Sequence, residues 1–217
     1  MEEDEKSEII RCKLILVGDG YVGKTTIIGR YIKKYQDKYP CTVSASFTTK
    51  LEIINGKQIN FELWDTAGEE KFRSVNNVFY REAQICLMVF DITQRKTFES
   101  LKNYWYKEIK NECPKDIIFH VAGNKIDLFE NEQVNKKEVK EFCDEINCGF
   151  DYISAKENKF IDGLFQKLGE IYLNSDAYIN FKNNQHNTIR VSVNTFQNNP
   201  EGSEKGGKGG KGCCSFL

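Results

Sequence analysis

Short apolar runs separated by turn-forming residues organise this chain. Lys13 to Val17 reads as a strand closed by Gly18-Asp19-Gly20, and the stretch after Gly23 has the composition of a helix. Phe47 to Ile54 and Gln58 to Trp64 are strand-like runs on either side of Asn55-Gly56. That dipeptide supplies the positive φ angles of a type I′ hairpin turn, so the two strands are expected to be antiparallel neighbours. Ile85 to Phe90, Ile117 to Ala122 and Phe150 to Ile153 are runs of the kind buried in parallel sheets, spaced widely enough for helices to cross back between them. The final helix is the clearest, because Ile161, Leu164, Phe165, Leu168, Ile171 and Tyr172 recur at spacings of three and four. The pattern predicts a three-layer α/β domain: a mostly parallel sheet of about six strands with one antiparallel pair, covered by about five helices.

A length of 217 residues holds one ordinary domain and its appendages. Residues 1–10 read as an acidic extension, 11–174 as the domain and 175–217 as a polar tail. The tail is Asn-rich without apolar periodicity and cannot bury enough surface to fold alone, and residues 202–212 are a Gly-rich tether spaced by Lys205, Lys208 and Lys211. With 31 basic against 32 acidic side chains and a net charge of −1, a general nucleic-acid binder is excluded. No apolar run approaches the ~20 residues of a membrane helix. The acidic N-terminus lacks a secretory h-region and Glu2 excludes myristoylation, so a cytosolic chain is expected. Cys12, Cys41, Cys86, Cys113, Cys143 and Cys148 are scattered without C-x-x-C spacing and read as reduced, semi-apolar residues, whereas Cys213 and Cys214 stand side by side near the end.

Gly18-Asp19-Gly20-Tyr21-Val22-Gly23-Lys24-Thr25 matches G-x-x-x-x-G-K-[ST] between a strand and a helix, the context in which that motif wraps a diphosphate. Nucleotide contacts are expected from Gly20, Tyr21, Val22, Gly23, Lys24, Thr25 and Thr26. Backbone N–H groups and the helix N-terminus face the anion, Lys24 neutralises the β and γ oxygens, and the Thr25 hydroxyl can ligate Mg²⁺. Asn124-Lys125-Ile126-Asp127 follows a predicted strand, where α/β folds bind ligands. The Asp127 carboxylate can accept both the N1–H and 2-amino protons of guanine, a donor pair that adenine lacks, while the Asn124 amide serves the other base edge and the Lys125 stem covers the ring. Trp64-Asp65-Thr66-Ala67-Gly68 supplies an Asp that can reach Mg²⁺ through water and a Gly68 N–H that can sense the γ-phosphate.

With these motifs in order, the chain resembles the small Ras-like GTPases, and Ser154-Ala155-Lys156 stands where that family's last loop touches the base. Over residues 11 to 173 and again at the C-terminus the resemblance is to the Rab branch. Val43-Ser44-Ala45-Ser46-Phe47 looks like its effector strand, Phe61-Glu62-Leu63-Trp64 like the next strand, Lys71-Phe72-Arg73-Ser74 like the start of its second switch, and Met88-Val89-Phe90-Asp91-Ile92-Thr93 like a further signature. The Ala45-Ser46-Phe47 form hints at the endosomal branch. The resemblance implies GTP/GDP as bound nucleotide, Mg²⁺ held by Thr25, Thr42 and Asp65, and Tyr35 packed against guanine. It also implies switch segments at about residues 36–45 and 66–79. The partners implied are an exchange factor, an activating protein, effectors and an escort or GDI-type chaperone, acting on a monomer.

One departure stands out. Glu69 occupies the place where the family has Gln, beside Lys24 and Gly68 as the expected catalytic groups. An ionised Glu69 accepts from the attacking water but cannot donate to the transition-state oxygens. Two readings follow: a timed switch with an altered rate, or a GTP-binding scaffold with negligible turnover. At the C-terminus Cys214-Ser215-Phe216-Leu217 satisfies C-a-a-X with X = Leu, which favours geranylgeranyl, and Cys213 beside it gives the paired cysteines of Rabs. Two lipids with the tail lysines would hold the chain on the cytosolic face of an endosomal or other vesicular membrane, cycling with the cytosol. A soluble GTPase with both cysteines unmodified is the other reading.

Overall fold

In the computed structural model, which describes residues 8–36, 42, 45–66 and 79–182, the first apolar run forms β1 (Ile10–Val17) and leads through the glycine loop into α1 (Lys24–Tyr31). A hairpin of β2 (Ser46–Ile54) and β3 (Lys57–Asp65) follows, then β4 (Ile85–Asp91), β5 (Ile118–Asn124) and β6 (Gly149–Ile153). Their order across the sheet is β2-β3-β1-β4-β5-β6, with β2 and β3 antiparallel and every other pair parallel. At the hairpin Asn55 has φ 51° and Gly56 φ 76°, both positive as the turn type requires. Because the chain leaves β1 toward one half of the sheet and later returns to build the other, the carboxyl ends of β1 and β4 flank the crevice where such sheets bind ligands.

Alternation along β1 divides its side chains between two cores. Leu14 and Leu16 face Ile27 and Tyr31 of α1, with Phe165, Leu168 and Tyr172 of α5 (Ile161–Leu173). Tyr31 and Phe165 stack with centroids 3.6 Å apart. Ile15 and Val17 face the opposite layer, built by Phe98, Trp105 and, from α4 (Lys136–Glu145), Phe142. With helices on both faces, every residue of β4 is buried, which is why its sequence is a continuous apolar run rather than an alternation.

Two elements differ from the sequence expectation. The helix after β4 changes geometry midway: α2 (Arg95–Ser100) passes through a π-helical stretch, Leu101–Trp105, into α3 (Tyr106–Glu112). Order also continues beyond the boundary expected at residue 174. The compact unit extends to Asn180: Ala177 is buried, the Tyr178 ring meets Tyr172 at 5.6 Å and Asn180 Nδ2 donates to Asp116 at 2.8 Å. These few apolar contacts were too short a pattern to register as periodicity. A second unit comprises residues 181–217, of which only 181 and 182 are described.

Candidate functional site

Five strand ends converge on the site. The loop after β1 begins at Gly18, whose φ is 140° and whose missing Cβ leaves room for the Val89 carbonyl of β4. It ends at Gly23, φ 102°, where a Cβ would collide with the Asn124 amide. Between them Tyr21 holds φ 63° and is largely exposed, and Val22 is buried. Lys24 is only 6% exposed, and its Nζ donates to the carbonyls of Gly18 at 2.8 Å and Asp19 at 2.9 Å. The ammonium therefore lies across the mouth of the loop, with Thr25 and Thr26 following it in the first turn of α1.

The loop is also braced from the side. Oδ1 of Asp19 accepts from Ser100 Oγ at 2.7 Å and from the Trp105 indole N–H at 2.9 Å. Trp105 closes the π-helical stretch, so the widened helical turn accompanies the reach of its ring to the loop. Sequence reasoning missed this brace, since a π segment has no distinct residue pattern.

Thr25, Thr42 and Asp65 meet where the loop approaches the end of β3. Thr25 Oγ1 donates to Asp65 Oδ2 at 2.6 Å and lies 3.0 Å from Thr42 Oγ1. Next to Asp65, Thr66 is fixed by its hydroxyl donating to the Leu16 carbonyl at 2.6 Å. Burial pushes the Asp65 carboxyl above its ordinary value, outweighing the Thr25 hydrogen bond, the Lys24 charge and the Thr42 hydrogen bond. Its second oxygen, Oδ1, is buried with no hydrogen-bond partner among the described residues. An all-oxygen donor set with an unsatisfied buried carboxylate oxygen fits a hard cation such as Mg²⁺.

At the other end of the crevice Asn124, Lys125, Asp127 and Ser154 to Lys156 come together. The Asn124 amide is the strut of this end: Nδ2 donates to the Val22 carbonyl at 2.8 Å and Oδ1 accepts the Ala155 N–H at 3.0 Å. Where the sequence reading sends this amide to the base edge, the structure engages both its ends with protein, joining the phosphate loop to the 154–156 loop. Lys125, in left-handed backbone at φ 72°, pairs with Asp91 through Nζ–Oδ2 at 2.6 Å. Asp91 is almost wholly buried at the end of β4. Burial raises its pKa, but hydrogen bonds from Lys125 and from the Thr93 side chain and backbone outweigh it, holding the carboxyl below its ordinary value. The Lys125 stem is thus held in place by its ammonium.

Asp127 follows in a 3₁₀ turn, Ile126–Asn131, and its Oδ1 accepts from Ser154 Oγ at 2.6 Å while Lys156 Nζ stands 4.0 Å from Oδ2. Arg30, on the last turn of α1, donates from Nε to the Ala155 carbonyl at 2.8 Å and from Nη2 to that of Lys156. The same guanidinium lies 3.1 Å from the centre of the Tyr35 ring, which places Tyr35 beside this loop. Arg30 was not singled out from sequence, and Asp91 was quoted only within the Met88–Thr93 signature with no role assigned to it. The position of Asp91 at the carboxyl end of a central strand was the available signal, whereas nothing local marks Arg30. Gly68, Glu69, Cys213 and Cys214 lie outside the described residues.

Comparison with known proteins agrees with this geometry. A sequence model of the Ras family matches residues 13–174. The chain is 34% identical over 209 residues to human Ras-related protein Rab-21, covering 94% of this chain and 90% of that protein. It is 39% identical over 168 residues to Ras-related protein RabJ of Dictyostelium discoideum, covering 77% of this chain and 65% of that one. It is also 34% identical to Ras-related protein RABA5b of Arabidopsis thaliana, with 99% of each covered.

Proposed function

Because the chain belongs to the Rab branch of the Ras family, it is a GTP hydrolase, and we propose that it works as a membrane-tethered switch that regulates vesicle trafficking by recruiting effectors when GTP is bound. The observation that carries this reading is the meeting of Thr25, Thr42 and Asp65. It joins three separate segments: the phosphate loop, the segment around residue 42 and the carboxyl end of β3. Groups contributed by segments that are distant in sequence are what a γ-phosphate can order and its loss can release.

In this proposal the guanine base is read by Asp127, oriented by Ser154, with the Lys125 stem and the Tyr35 ring against it. Lys24 and the loop N–H groups hold the phosphates. Thr25, Thr42 and Asp65 hold Mg²⁺, which when bound neutralises phosphate charge. GTP and water become GDP and phosphate, with Glu69 in the water-positioning place, accepting a hydrogen bond from the attacking water, and Lys24 and Gly68 stabilising charge on the transferring group. Effectors of the GTP-bound form meet the outer face of the hairpin. There Phe47 is exposed, 4.9 Å from Trp64, which in turn lies 5.4 Å from Phe79. Geranylgeranyl groups on Cys213 and Cys214 tether the switch to the cytosolic face of an endosomal or other vesicular membrane, and an exchange factor, activating protein and escort or GDI-type chaperone cycle it.

Single-turnover hydrolysis by the purified protein, beside Glu69→Gln and Thr25→Asn, tests the switch. Native protein is expected to turn over GTP at a rate comparable with or above that of Glu69→Gln, while Thr25→Asn binds Mg²⁺·GTP poorly. Binding without turnover until Gln is restored would replace the switch with the long-lived GTP-bound scaffold that Glu69 also allows.

A further inference from the structure

Far from the nucleotide crevice, at the opposite end of β6, the end of α4 brings two thiols together. Ile146 caps the helix, Asn147 takes left-handed backbone at φ 52°, and two hydrogen bonds close the end. The Cys148 N–H donates to the Cys143 carbonyl at 2.9 Å and the Asn147 N–H to the Asp144 carbonyl at 3.3 Å. This is the paired-bond Schellman cap, in which the side chains three residues before and two residues after the cap residue pack against each other as an apolar contact. Here both contact positions are cysteines. Neither is in a disulfide: Cys143 is buried and Cys148 partly exposed, and both line a groove of about 1040 Å³ together with Tyr106, Pro114 and Ile171.

We propose that Cys143 and Cys148 form an oxidisable dithiol, a modification site at which a hydroperoxide converts the cap contact into an intramolecular disulfide. Cys148 reaches the groove and is the attacking sulfur. Its thiolate forms an S–O bond as the peroxide O–O bond breaks, giving a sulfenic acid and, after protonation of the leaving oxygen, water. The Cys143 sulfur then attacks the Cys148 sulfur. The S–O bond breaks, the Cys143 proton leaves with the departing hydroxide as a second water, and the S–S bond forms. Overall two thiols and one hydrogen peroxide give one disulfide and two waters.

The division of roles follows from the surroundings. The neighbouring Cys148 and burial both raise the Cys143 thiol, and because Cys143 is buried while Cys148 is partly exposed, a peroxide reaches Cys148 first. Among the other described cysteines, Cys12 and Cys86 are fully buried and pushed up by burial. Burial likewise pushes the Cys113 thiol up to about 12, and it donates to the Tyr80 carbonyl.

Both cysteines fall in one tryptic peptide, residues 141–156, which makes the test direct. The nucleotide-loaded full chain is treated with hydrogen peroxide, its remaining thiols are alkylated, and the digest is read by mass spectrometry without and with dithiothreitol. The expected result is a peptide 141–156 that is lighter by two hydrogens and carries no alkyl group, and that takes up two alkyl groups after reduction. In Cys143→Ala, Cys148 is expected to stop at the sulfenic acid and be captured by dimedone; in Cys148→Ala, Cys143 stays reduced. A peptide that still takes two alkyl groups while Cys113 is oxidised overturns the site. Dimedone capture of Cys143 in Cys148→Ala overturns the assignment of the attacking sulfur.

Discussion

The two ends of the nucleotide crevice are built on different principles. At the base end the polar groups are tied to protein: Asn124 to Val22 and Ala155, Lys125 to Asp91, Asp127 to Ser154, and the 155–156 carbonyls to Arg30. At the end proposed to hold the metal, Thr25, Thr42 and Asp65 meet one another, and one buried carboxylate oxygen has no partner among the described residues. The pKa directions follow the same division. Asp91, buried at the base end, is held below its ordinary value, whereas Asp65, buried at the metal end, lies above it. A preorganised base pocket binds without further ordering cost. Under the proposed function, a cluster whose charge burial disfavours would couple cation binding to switching.

Breaking the base end should have the largest effect. Asn124→Ala leaves the Val22 carbonyl and the Ala155 N–H buried and unpaired, a loss of about 2–4 kcal/mol, or GDP dissociation roughly 30- to 1000-fold faster. Displacement of a fluorescent GDP analogue measures it, and a rate within about threefold of native would mean that the base end is not preorganised through this amide.

Asp65→Asn sharpens the contrast from the other side. The neutral side chain removes a buried charge, so the nucleotide-free protein should gain about 1 kcal/mol against urea at neutral pH while losing Mg²⁺-dependent tightening of GTP binding. The sign with pH follows from the raised folded pKa. Stability from neutral Asp65 is present below the ordinary carboxylate value and lost as pH rises through the folded one, so the variant's advantage should vanish in acid. An advantage independent of pH would remove charge burial as its cause.

Trp105→Phe should have the smallest effect, since Ser100 still donates to Asp19. Loss of one hydrogen bond costs about 1 kcal/mol, several-fold in nucleotide affinity by titration. An effect as large as that of Asn124→Ala would make the brace beneath the phosphate loop an equal partner to the base-end strut.

Much of this was legible in the chain itself. The hairpin at Asn55-Gly56, the buried run that became β4 and the stripe of α5 all rest on local periodicity and turn chemistry, which act between near neighbours. Within α5, Ile171 sits at the margin of the stripe, partly exposed on the groove. Three segments of the crevice were equally plain, because phosphate and base recognition need particular residue types at fixed spacing along one segment.

The amino-acid sequence therefore determined by itself the succession of strands and helices, the phosphate loop and the residue types offered to nucleotide and metal. Tertiary structure alone decided which of those groups are held by the protein and which await a ligand. Asn124 became a strut, Arg30 reached a loop 125 residues away, Asp19 gained Trp105, and Cys143 met Cys148 across a helix cap. The physical reason is that a side chain's role depends on its partner and its burial. Those are set by strand order and helix packing, whereas a motif records only which groups are adjacent in the chain.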